Sequence, residues 1–113
     1  MSQSEFEAHW RDTHGRLAIT SKAFSASNIQ GYVQIHNDKA LTKELGELGL
    51  PAMDFAWDAC SEMYVQNWED YVAFARSDES RDVLGPDGAK IVDPGAGVRV
   101  TVARVDPMFI RKE

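Results

Sequence analysis

The side chains best suited to move a proton near neutral pH are the three histidines, His9, His14 and His36. An unperturbed imidazole titrates close to pH 7, so His14 and His36 are taken as candidate general acids or bases. Each has a plainer alternative. His14 can simply hydrogen-bond a neighbouring carbonyl, and His36 can be an exposed residue at the end of a strand. His9 is read as a surface or helix-packing residue. Tyr32 and Gln34 share a strand face with His36 and are placed to hold a phenol or carbonyl oxygen. Glu62 falls mid-strand, where burial without a partner is costly, so it either pairs with a cation or faces a cavity. Arg99 is the available partner for it, or else a clamp for a substrate carboxylate. Trp10 is expected in the core or in a cavity wall, since tryptophan contributes mainly buried area.

Metal chemistry has little support. His9 and His14 stand five apart, which puts them about 140° apart around an α-helix and makes a shared metal difficult. Spacing of four would be the stronger signal, and no Cys/His cluster exists. Cys60 is the single cysteine, so an intrachain disulfide is impossible. It is read as a small buried hydrophobe in a reducing, cytoplasmic setting.

The elements that must position these residues follow from periodicity. Ser2 with Glu5 has capping-box spacing, and a helix is expected from Ser2 to about Lys22. Phe6, Trp10, Thr13 and Leu17 form its stripe, and Gly15 is a point of bending or fraying. A strand is expected around Tyr32–His36, with Val33 and Ile35 on its apolar face. Leu41, Leu45 and Leu48 suit one or two helical turns before Gly49 and Pro51. A second strand spans Ala59–Val65. Asn67 then caps a helix from Trp68 to about Arg76 whose apolar face is Trp68, Tyr71, Val72 and Ala75. Residues 78–92 read as short helical pieces broken at Gly85-Pro86 and Gly88, with Asp78-Glu79 as solvated surface. Val98–Val105 alternates as a third strand.

The resulting order, α-β-β-α-β, is a ferredoxin-like unit without its first strand, and the chain is one domain over residues 1–113. The apolar strand face is expected under the helices. The other face, with Tyr32, Gln34, His36, Arg99, Thr101 and Glu62, is expected to line a cavity closed by a second subunit. Met53, Phe55 and Trp57 offer apolar cover in the adjoining segment. The slot of the missing strand is expected to be filled from outside this sheet, with the apolar tail Pro107–Glu113 crossing to a partner as the favoured candidate.

Composition bounds the partners. Apolar residues make up 43% and charged residues 27%, an ordinary globular balance. The formal net charge of −6, with no Lys/Arg cluster, argues against nucleic acid. No stretch has the length and apolarity of a membrane span, and no membrane partner is expected.

Phe6-Glu7-Ala8-His9-Trp10-Arg11-Asp12-Thr13-His14 resembles the opening helix motif of the EthD family, F-x-x-x-W-x-x-x-H. Tyr32-Val33-Gln34-Ile35-His36 resembles the Y-x-Q-x-H strand of its fungal polyketide-pathway members. Trp57–Tyr64 resembles a second anchor, a strand with a central glutamate. The likeness spans about residues 2–105. It departs at the start, where a strand ending in Lys-x-Pro-Gly would precede Ser2 and Met1 stands instead.

The resemblance implies a dimeric α+β barrel that works without metal or organic cofactor. Members include decarboxylases, dehydratases and lactone isomerases. The expected function is thus a cofactor-independent lyase or isomerase on an aromatic or polyketide-like small molecule. His14 and His36 would do acid/base work while Trp10, Tyr32, Gln34, Glu62 and Arg99 bind substrate. The alternatives are a non-catalytic binding or accessory subunit of the same fold, and a cofactor-free monooxygenase.

Overall fold

The computed structural model describes residues 1–55, 59–93, 95 and 97–111. Its architecture is α+β: a set of helices packed beside a two-stranded antiparallel sheet.

The first helix, α1, covers residues 3–20 and is built from three pieces: α-helical Gln3–Ala8, π-helical His9–His14 and α-helical Gly15–Thr20. Its start is the expected capping box. Ser2 Oγ accepts from the Glu5 amide at 3.1 Å, and Glu5 accepts from the Ser2 amide at 3.2 Å. The helix ends at Ser21, whose extended backbone breaks the run. Ser21 then caps α2 (Lys22–Ala26) by accepting from the Phe24 amide. Gly15 neither frays nor kinks the helix. It is buried, and a Cβ there would lie 2.9 Å from Gln34 Nε2, so its role is close approach of α1 to the sheet.

Strands β1 (Gly31–Ile35) and β2 (Cys60–Tyr64) pair with Tyr32 opposite Met63, Val33 opposite Glu62 and Gln34 opposite Ser61. Between them lies α3 (Lys39–Glu47), capped by the Asp38 carboxylate. Asn67 caps α4 (Trp68–Ala75) as its sequence position foretold. The last helix, α5, covers residues 80–89, with π-helical Ser80–Leu84 running into Gly85–Ala89. The expected break at Gly85-Pro86 does not occur. The Gly85 amide donates to Ser80 O, five residues back, and the widened turn admits Pro86, which has no amide hydrogen to place.

The core is small. Ala18, Ala23, Phe74 and Leu84 are buried together, flanked by Leu17, Phe24, Ile29 and Met63. Phe24 and Phe74 meet edge to face at 6.1 Å. Glu79 is not solvated surface as expected. Its carboxylate accepts from the Ala23 amide at 2.7 Å and the Lys22 amide at 3.2 Å, tying α5 to the start of α2.

Two larger expectations are corrected. Val98–Val105 is not a strand. The segment is irregular, with Val98, Val100 and Val102 each at least 70% exposed. Alternation reports which residues a strand would bury but does not fix whether the segment pairs, and among the described residues the sheet stops at two strands. The sheet faces are also exchanged. Directly opposed residues share a face, so Tyr32 and Gln34 lie with Met63 and Ser61, while Val33 and Ile35 lie with Glu62 and Cys60. Met63 packs on the core and Gln34 reaches α1, so the polar Tyr32/Gln34 face is the one covered by helix. Val33 is 42% exposed on the other.

Met53 and Phe55 border α3, whereas Trp57 lies outside the described residues. In the single chain the tail residues Met108, Phe109 and Ile110 are exposed. No helix among the described residues is long and apolar enough to cross a membrane.

Candidate functional site

The π-helical turn in α1 decides where the histidines point. In an α-helix, residues five apart diverge; in a π-turn, hydrogen bonds run from i to i−5, and residues at that spacing come close to one face. The bond that closes this turn runs from the Gly15 amide to Trp10 O. His9 and His14 therefore project together onto Asp87 of α5. His14 Nδ1 lies 2.9 Å from Asp87 Oδ2, and His9 Nε2 lies 3.1 Å from Asp87 Oδ1. The α-helical geometry assumed for residues 2–22 had separated these two rings.

Asp87 is buried, with 7% of its side chain exposed, while the two imidazoles keep 24% and 20% exposure. Burial pushes the Asp87 carboxyl up. The hydrogen bonds from His14 and His9, and the charge those rings can carry, outweigh it and leave the group below its ordinary value of 3.8. Lys90 Nζ stands 4.0 Å from Oδ1. A carboxylate can only accept, so the bonded nitrogen of each ring carries the hydrogen. In neutral His14 that fixes the proton on Nδ1 and leaves Nε2 as a base. Nε2 has no hydrogen-bond partner among the described residues. Gly88 packs beside the ring: a Cβ there would make an ordinary contact of 3.4 Å with His14 Cε1.

The other site residues gather on the opposite flank of α1. Trp10 is 5% exposed and packs against Phe6 at 5.9 Å and His36 at 4.6 Å between ring centroids. Gln34 Nε2 donates to Trp10 O at 2.8 Å and to Tyr32 Oη at 3.2 Å. His36 lines a groove of about 670 Å³ with Ile35, Asp38, Leu41, Leu45 and Phe55. Tyr32 and Gln34 line a separate cleft of about 390 Å³ against Arg11, Arg16 and Ile19. His14 lines neither.

Trp10 thus touches both His36 and Gln34, which border separate clefts, and His14 is joined instead to His9. Glu62 falls on the other sheet face, where it accepts from Tyr64 Oη at 3.0 Å. That bond holds the Tyr64 phenol above its usual range. Arg99 sits in the exposed irregular segment and not on a strand beside Glu62. Cys60 is half-buried. Among the described residues no three His, Cys, Asp or Glu side chains are disposed to hold a metal ion; the two imidazoles aim at the carboxylate itself.

Sequence reasoning missed Asp87 and treated His9 as incidental. Asp87 lies 78 residues from His9 and 73 from His14, in a stretch read as broken helical pieces. No local pattern links it to them. The hint available was the five-residue histidine spacing, which becomes meaningful once a π-turn is allowed.

No curated protein and no solved structure matches the chain. A family model described as the EthD domain matches residues 1–95. The match takes in the helix motif, both strands and Asp87, and with most of the chain so covered, this protein belongs to the EthD domain family.

Proposed function

We propose that this protein is a cofactor-independent lyase or isomerase acting on a small aromatic, polyketide-like molecule, with His14 as its general acid/base. The observation that carries this reading is the His14–Asp87 bond, which orients the ring and leaves Nε2 unengaged among the described residues. A buried carboxylate hydrogen-bonded to Nδ1 favours the tautomer with a basic Nε2. Decarboxylation and dehydration both need that exchange, with negative charge on a carbonyl oxygen stabilised nearby. His14→Gln is expected to lower turnover of hydroxylated aromatic carboxylic acids by about 10²- to 10⁴-fold at a comparable thermal midpoint. Unchanged kcat would remove His14 from the mechanism.

A non-catalytic binding or accessory subunit is the second reading. It is favoured by one observation: His36 borders the larger groove and His14 does not. Under either reading the functional unit is a homodimer. The warrant is the exposed apolar surface of the single chain, including Val33 on the sheet and Met108, Phe109 and Ile110 in the tail. Light scattering at micromolar concentration is expected to give twice 12.6 kDa, and a 12.6 kDa species would contradict the dimer.

A further inference from the structure

The carbonyl of Trp10 lies within the π-helical turn and takes two hydrogens. One comes from the Gly15 amide, five residues on, and closes the turn. The other comes from outside the helix: Gln34 Nε2, on β1, donates to it at 2.8 Å. In an α-helix the same carbonyl would take the amide of His14, four residues on. A π-turn is rare, and a side-chain group set into the backbone ladder is one way a helix is driven from its i→i−4 pattern. Gln34 is such a group.

Its amide is fixed at both hydrogens. A carbonyl only accepts, so the amide presents its nitrogen to Trp10 O. The second hydrogen of that nitrogen goes to Tyr32 Oη at 3.2 Å. Gly15 leaves the space for this: an added Cβ would lie 2.9 Å from Nε2 and 3.3 Å from Trp10 O, against both ends of the bond. β1 is in turn registered on β2, with Gln34 opposite Ser61. The sheet thus reaches into α1 at the turn that carries both histidines.

The consequence falls on the other flank of the helix. His14 Nδ1 and His9 Nε2 stand 2.9 and 3.1 Å from the two oxygens of Asp87. Both rings reach one carboxylate because the turn between them is π-helical. Rewound to α-helical pitch, the two side chains would diverge by about 140° and could not share it.

We infer that Gln34 is a positioning residue for His14: its amide holds the π-turn at Trp10 O and so keeps His14 Nδ1 on the Asp87 carboxylate. The catalytic consequence rests on the reading of His14 as the acid/base group. The geometric link does not, and it is measured without turnover.

The test is ¹⁵N NMR of imidazole-labelled protein at about pH 9, above the ordinary imidazole value, with the His14 signals identified by their loss in His14→Gln. The bond to Asp87 decides which nitrogen of His14 carries the hydrogen, so the unmodified protein is expected to show the Nδ1–H tautomer. Gln34→Met keeps the side-chain length and removes both hydrogens. It is expected to shift His14 to the Nε2–H form, as Asp87→Ala does. Gly15→Ala takes the amide's space and leaves its hydrogens, and the same shift is expected, so the inference does not hang on the folding of one variant. If Gln34 served only to hold β1 against α1, Gln34→Met would lower the thermal midpoint and leave the tautomer as it was. Nδ1–H retained in Gln34→Met and Gly15→Ala but lost in Asp87→Ala overturns the inference and leaves the His14–Asp87 pair standing. Nε2–H in the unmodified protein overturns both.

Discussion

Replacing Asp87 with alanine is expected to lower stability by about 2–3 kcal/mol, because two partly buried imidazoles lose their common acceptor at once. The aspartate is nearly enclosed, and one carboxylate oxygen serves each ring. The loss removes the side-chain link between the π-helical turn of α1 and α5. Urea denaturation at pH 7 checks the magnitude, and a loss under about 0.5 kcal/mol would mean that water replaces the carboxylate without cost. The pH dependence has a definite sign. The folded-state pKa of Asp87 is depressed below 3.8, so its contribution is fully present above that value. It is lost as the pH falls through the lower folded-state value. The stability of the unmodified protein should thus fall more steeply below pH 4 than that of Asp87→Asn. Parallel acid profiles for the two proteins would contradict the depressed pKa.

Trp10→Ala should cost about 3–5 kcal/mol, the range for truncating a buried indole. Trp10 is 5% exposed and holds Phe6 on one side and His36 on the other, so the change empties the junction between α1 and the end of β1. A domain of this size has only about 5–15 kcal/mol in total, so the variant should be close to unfolded at 37 °C. Trp10→Phe retains most of the contact and should cost about 1–2 kcal/mol. Thermal melts of the pair separate packing from side-chain chemistry. If Trp10→Ala melts as the unmodified protein does, Trp10 does not hold α1 against the end of β1.

Local signals in the sequence were reliable where local physics determines the outcome. The Ser2/Glu5 box, the Asn67 cap, the α3 turns ahead of Gly49 and both paired strands follow from short-range hydrogen bonding and periodicity. The failures are nonlocal. The alternation at Val98–Val105 specifies two faces but not that the segment pairs with either edge of the sheet. Which face of β1 lies under the helices turned on the close approach allowed by Gly15 and on the Gln34–Trp10 bond, neither of which periodicity contains. Polar residues on a covered face look misplaced by pattern alone, yet each polar group of Gln34 and Tyr32 that faces inward has a partner. For the candidate site, Tyr32, Gln34 and His36 were recognisable as neighbours along one strand; that His36 borders one groove while Tyr32 and Gln34 border another was not. His14 was recognisable as an individual. Its link to Asp87 and His9 was not, because one π-helical turn rotates the relation between His9 and His14, and a five-residue spacing separates two side chains in an α-helix.

The most direct test of the catalytic account is a double-mutant comparison of His14→Gln, Asp87→Ala and the two combined, measured as kcat on one hydroxylated aromatic carboxylic acid. Groups that act as a unit lose nearly all of their effect when either is removed. Each single variant is expected to lose about 10²- to 10⁴-fold, and the double variant to be no slower than the worse of the two. Losses that multiply, or an Asp87→Ala enzyme that turns over at the unmodified rate, would contradict the claim that Asp87 sets His14 for proton transfer.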